Sequence, residues 1–191
     1  MLCTPSPAAT LAVGDTAPDL ALPEFGTGEP VSLYEFEDHV VLLDFFVHSC
    51  PYSRLASSEL GPHIREYYRQ RGGNPAGMPV QVISVNTQSG DEAETQQHID
   101  IYGIEVALDD PQKRVYSYYG SVPVPVIAII NGAAPANYDQ WEILYVEPGY
   151  ASGGYHEFRS IIDSVVPEPA TLALLPLGGL ALVRRRHGRT R

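Results

Sequence analysis

Cys50 is the residue of this chain best placed to do chemistry, because in Asp44-Phe45-Phe46-Val47-His48-Ser49-Cys50-Pro51-Tyr52-Ser53 an apolar run gives way to a helical pattern at the thiol. The first turn of a helix presents unpaired backbone N–H groups and about half a positive charge, so a thiol placed there is favoured as thiolate. Pro51 suits the first helical position, where its missing N–H leaves no bond unmade. Ser53 stands one helical turn on; its hydroxyl can donate to a thiolate at Cys50 but cannot close a disulfide with it. Asp44 breaks the apolar run, and a carboxyl buried there is either structural or a base acting through water. His48 and Cys50 could contribute to a soft metal site, yet two ligands are too few. The six histidines, at 39, 48, 63, 98, 156 and 187, show no ligand spacing, so no metal is expected. No Walker loop, dinucleotide fingerprint or repeat occurs, and no cofactor is expected.

Holding a thiol at that junction requires a strand, a helix and a sheet around them. The near-continuous apolar run at 40–47 predicts a central parallel strand covered on both faces. Residues 52–70 are helical in pattern, with Leu55, Leu60, Ile64, Tyr67 and Tyr68 as core candidates and a kink expected at Gly61-Pro62. A Gly- and Pro-rich loop at 72–79 leads into a second buried strand at 80–85. Asp91 is a candidate cap for a helix over 92–102. A short extended piece at 106–108, a helical turn at 115–119, strands at 126–130 and 141–146 and a helix over 152–166 follow. In that last helix Phe158, Ile161, Ile162 and Val165 share a face. The strand-helix-strand-helix order predicts a parallel α/β arrangement, completed by two neighbouring strands and a helix.

The strand, the Asp-Phe-aromatic phrase and the cysteine opening a helix resemble the thioredoxin superfamily, in which Cys-x-x-Cys occupies this junction. Here the pattern is Cys-x-x-Ser. The leading phrase Val13-Gly14-Asp15-Thr16-Ala17-Pro18-Asp19 is similar to that of redoxin and cytochrome-maturation relatives. The resemblance implies an α/β, thioredoxin-like fold with a central mixed sheet flanked by helices. It implies that Cys50 is the nucleophile, that Ser53 replaces the resolving cysteine and that Asp44 matches the buried carboxylate which in relatives helps move the second thiol's proton. It further implies that Pro125 is a cis-proline facing the thiol, with Pro123 a competing candidate. Val124, Pro51 and Tyr52 would then meet an extended substrate beside it. One-cysteine peroxiredoxins resemble one another in a threonine three residues before the cysteine, where this chain has Val47.

The chain's 191 residues, 44% apolar, suit one domain plus tails, with a core large enough to need no disulfide framework. Up to residue 167 there are seven Lys and Arg against twenty-two Asp and Glu, for a net charge of -15. Such a surface repels phosphate backbones, so no nucleic-acid partner is expected. Three parts are expected: a tail or signal-peptide remnant at 1–12, a domain at 13–166 and a terminal segment at 167–191. Thr10-Leu11-Ala12 reads as a cleavage end, with translation expected to start upstream of Met1, and Cys3 reads as a tail thiol. Pro167-Glu168-Pro169, the apolar run at 170–183 and Arg184-Arg185-Arg186 together resemble a PEP-CTERM sorting signal; the run is short of the roughly 20 residues of a stable span. That implies export, processing by exosortase-type machinery and transient association with the inner membrane, the arginines staying inside. The function expected is that of an exported monothiol protein forming mixed disulfides with protein or low-molecular-weight thiols. A non-catalytic peptide-binding module and a one-cysteine peroxidase are the alternatives.

Overall fold

The structure, a computed structural model, describes residues 10–120, 123–134 and 136–167. Cys3 and the expected sorting segment from Glu168 onward lie outside the described residues. In chain order the strands are β1 (Ala21–Pro23), β2 (Pro30–Ser32), β3 (Val40–Phe46), β4 (Val80–Asn86), β5 (Ala107–Asp109), β6 (Val126–Asn131) and β7 (Glu142–Pro148). The helices are α1 (Pro51–Leu60), α2 (Glu66–Arg69), α3 (Glu92–Tyr102), α4 (Tyr116–Tyr119) and α5 (Tyr155–Ser164). Five strands form one sheet in the order β5-β4-β3-β6-β7, with β3, β4 and β5 parallel and β6 and β7 antiparallel to their neighbours. This is the mixed sheet of a thioredoxin-like fold.

Each residue of β3 is buried, as a strand flanked by β4 and β6 and covered on both faces must be. Val41, Leu43 and Phe45 point into one core layer with Leu20, Leu22, Leu33, Tyr116 and Tyr119. Val40 and Leu42 point into the other, with Ala56, Leu60, Ile64, Tyr68, Phe158 and Ile162. Strand alternation therefore sends Asp44 to the α1 side. Both sheet edges are covered in part. Phe25 N–H bonds the Ala107 carbonyl at 2.8 Å beside β5, while Gly14 and Ala17 bond Ile143 and Trp141 beside β7.

The kink expected at Gly61-Pro62 takes the form of a π-helical turn over Gly61–Arg65, after which α2 continues the same rod. A wider turn accommodates a proline that has no N–H to give and whose ring crowds the preceding turn. Asp91 occupies the cap position of α3 but makes no capping bond; its carboxylate accepts from Gln88 Nε2 instead. The cap that sequence reading missed is Asp110, whose carboxylate accepts from the N–H groups of Arg114, Val115 and Tyr116. Trp141, expected in the last strand, instead has a left-handed φ of 65° just ahead of it. The final helix is shorter than expected, Tyr155–Ser164, and buries Phe158 and Ile162 fully and Ile161 only partly.

Candidate functional site

β3 delivers the chain to the site through a tight turn in which Cys50 N–H bonds the Val47 carbonyl at 2.9 Å. Cys50 then caps α1 in an extended conformation, and Pro51 occupies the first helical position. The Cys50 carbonyl accepts the first helical bond, from Arg54 N–H at 3.0 Å. The sulfur is half-buried, and Cys50 is the one free cysteine among the described residues. Tyr52, beside it, is 61% exposed.

β6 brings the second wall. Phe45 pairs with Val126, so the residues just before Val126 arrive beside the exit of β3. The Val124–Pro125 bond is cis. The Cys50 thiol donates to the Val124 carbonyl, Sγ to O 3.4 Å. Pro125 is buried, and its carbonyl accepts from Gly149 N–H, tying the loop to the end of β7.

Ser53 is fully buried and does not hydrogen-bond the thiol; its Oγ accepts from Val47 N–H at 3.3 Å. The hydroxyl thus braces the turn that carries Cys50. Asp44 is also fully buried, and both its oxygens lack a hydrogen-bond partner. Burial pushes its carboxyl up to about 7. The void beside it, lined by Ser57, Ser84 and Arg65 among others, is only about 10 Å³, the lower limit for a single water.

Sequence reading also missed the polar cluster behind α1. Ser57 Oγ and His98 Nε2 are 3.0 Å apart, and the His98 ring stacks on Phe46 with centroids 4.8 Å apart. Burial, then Arg54 and His48, hold the His98 imidazole down at about 4. His48 is buried with Nδ1 unpartnered, while its carbonyl accepts from Arg54 Nε at 2.8 Å. Among the described residues, no group of three or more His, Cys, Asp or Glu side chains could hold a metal ion.

A groove of about 740 Å³ opens from Cys50, Tyr52 and Val124 toward β7 and the start of α5. Tyr145, Tyr150 and Phe158 contribute to its aromatic lining, and Glu147 and Glu157 are its two carboxylates. Burial, then those two carboxylates, push the Tyr145 hydroxyl up to about 12. Glu59 of α1 fixes the loop after β7, accepting from Tyr150 Oη at 2.7 Å, Ser152 Oγ at 2.8 Å and Gly153 N–H at 2.9 Å. Burial alone would raise the Glu59 carboxyl, but these donors outweigh it and hold the carboxyl below the usual range. No spacing in the sequence marks these residues, which come together only when β7 and α5 pack against α1.

The fold and site define a thioredoxin-like protein of the redoxin type, with one thiol at the head of α1 and a cis-proline loop against it. The chain belongs to the AhpC/TSA family, which residues 13–138 match. No curated protein matches it significantly. Among solved structures, a DsbE-type thiol:disulfide interchange protein from Chlorobium tepidum is similar at 24% identity and TM-score 0.63, over 80% of this chain and 96% of that one. The thioredoxin domain of a thiol-disulfide oxidoreductase from Bacteroides vulgatus gives 20% identity and TM-score 0.60, over 80% and 99%. DsbF of MTB, solved in mixed oxidized and reduced forms, gives 14% and 0.58, over 75% and 92%. At these identities the likeness speaks to fold.

Proposed function

We propose that this protein performs thiol-disulfide exchange through Cys50 alone and is exported to act outside the inner membrane. One observation carries the reading. The thiol at the head of α1 lies 3.4 Å from the Val124 carbonyl of the cis-proline loop, while the position one turn on holds a buried serine. Cys50 thiolate attacks one sulfur of a substrate disulfide, forming the Cys50–substrate disulfide and releasing the other sulfur as thiolate. An external thiol then attacks that mixed disulfide and regenerates Cys50. Cys50, Ser53 and Asp44 serve the reaction as nucleophile, brace and buried acid; Val124, Pro125, Pro51 and Tyr52 meet the substrate. Export and exosortase-type processing rest on the sequence of the terminal segment.

Mass spectrometry of freshly isolated protein tests the proposal. A partner disulfide-linked to Cys50 is expected, and it disappears on reduction. Fully free thiol, together with no mixed disulfide after incubation with disulfide substrates, overturns it. A second reading, a peptide-binding module without turnover, draws on the burial of Ser53: the hydroxyl serves the turn, and the site then needs no redox partner. Peptide affinity unchanged by Cys50→Ala, with no thiol exchange, would favour that reading.

A further inference from the structure

We infer that the groove beside Cys50 takes an extended, basic segment of a protein and discriminates against anionic disulfides such as oxidised glutathione. The inference rests on the thiol-exchange reading for its chemistry but on the groove for its selectivity. Glu147 and Glu157 are both exposed at the groove, and neither has an ion-pair partner among the described residues, where all four pairs join Arg65 or Arg69 to Glu66 or Glu105. None of the seven cations of the domain lines the groove. Several are engaged elsewhere. Arg54 bonds the His48 carbonyl, Arg159 bonds the His63 carbonyl and lies over the Tyr67 ring, and Arg71 also lies over that ring.

The position of the carboxylates follows from the sheet. Val126 pairs with Pro148 and Ile127 with Glu147, and Gly149 N–H bonds the Pro125 carbonyl. Glu147 therefore stands within about two strand positions of the loop that meets the sulfur, where neighbouring strands are about 4.8 Å apart and a residue spans about 3.3 Å. A segment whose half-cystine reaches Cys50 places side chains two to three residues away near Glu147 and Glu157. Lys or Arg there meets two unpaired carboxylates, with aromatic rings of Tyr145, Tyr150 and Phe158 beneath its methylenes. A glutathionyl group brings carboxylates to the same place and is repelled.

The test uses one short peptide with a single cysteine held as the mixed disulfide with 2-mercaptoethanol, in versions carrying Lys, Gln or Glu two residues to either side. Cys50 thiolate attacks the peptide sulfur, the Cys50–peptide disulfide forms and 2-mercaptoethanol leaves as thiolate. The rate is read by mass spectrometry on the full chain. Lys is expected to react faster than Gln and Gln faster than Glu, with a Lys-to-Glu ratio of roughly five- to twentyfold at low salt that shrinks as salt is added. Oxidised glutathione is expected to react more slowly than neutral hydroxyethyl disulfide. Glu147→Gln with Glu157→Gln should collapse the ratio, whereas Glu29→Gln with Glu94→Gln, an equal charge change at exposed positions outside the groove, should leave most of it. Equal rates for Lys and Glu, or equal effects of the two double variants, overturn the inference while thiol exchange stands. If no peptide modifies Cys50, exchange itself fails. Fluorescence anisotropy with reduced, thiol-blocked peptides on Cys50→Ser then reads the groove alone: tighter binding of the Lys peptide upholds the selectivity, and equal binding refutes it.

Discussion

Asp44→Asn should gain stability relative to wild type as pH rises. In the folded chain the Asp44 carboxyl has no hydrogen-bond partner, and burial lifts it from 3.8 to about 7. The unfolded chain gives up this proton near the ordinary value while the folded chain holds it, so between those values the native state binds more protons and stability falls as pH rises. Each pKa unit corresponds to about 1.4 kcal/mol, so the cost grows to roughly 4 kcal/mol once the group is fully ionised above about pH 8. By about pH 5 only about 1.5 kcal/mol of it has accrued. Asparagine keeps the shape and cannot ionise. Its own desolvation adds an offset that does not vary with pH, so the informative quantity is the slope of the difference. Urea unfolding of wild type and Asp44→Asn from about pH 4.5 to about pH 8.5 should show the gap widening by roughly 3 kcal/mol in favour of Asn. For a domain of this size that is on the order of 10 °C in melting temperature. Parallel stability curves would refute the reasoning, because they would mean that Asp44 ionises in the folded protein as easily as in the unfolded one.

Ser53→Cys should convert single-thiol exchange into a dithiol cycle, raising turnover of a protein disulfide above that of wild type and of Cys50→Ala in the presence of a small-molecule reductant. It should cost about 1 kcal/mol of stability, since sulfur accepts the Val47 N–H less well; turnover no greater than that of Cys50→Ala would count against the site's being one residue from a dithiol enzyme. Glu59→Gln should loosen the groove wall, seen as faster hydrogen exchange at the Gly153 amide, because the carboxylate that accepts it loses its charge. In wild type the same loosening should set in at acid pH, as a carboxyl held below its usual range contributes stability that is lost as pH falls through its folded value. Intact mass of protein from its native membrane or exterior should show cleavage near residues 167–169; a chain ending at Arg191 would count against processing.

The thiol, its strand and its helix were legible because a buried strand meeting a helix leaves a continuous apolar run and a periodic one side by side, with Pro51 marking the join. The cis bond at Pro125 was reached through resemblance, since nothing local distinguishes it from Pro123. What stayed hidden was tertiary. The pairing of Ser53 Oγ with Val47 N–H depends on how tightly the turn at 47–50 closes. Asp110 lies beside Asp109 in the sequence, and only the path of the chain sets its carboxylate under the N–H groups of residues 114–116. The groove acids belong to two elements, β7 and the first turn of α5, whose approach no periodicity encodes.

Because Ser53 is sealed beneath the turn, any thiol that frees Cys50 from a bound partner has to arrive through the same opening that the partner occupies. If Cys50 carries the proposed single-thiol exchange, release is a matter of crowding at a doorway. A small partner would leave the doorway open and be exchanged quickly, whereas a long segment lying along the groove would shield its own linkage and outstay it. The dwell time of a captured chain would then be written in the guest's bulk and in how often its far end lets go.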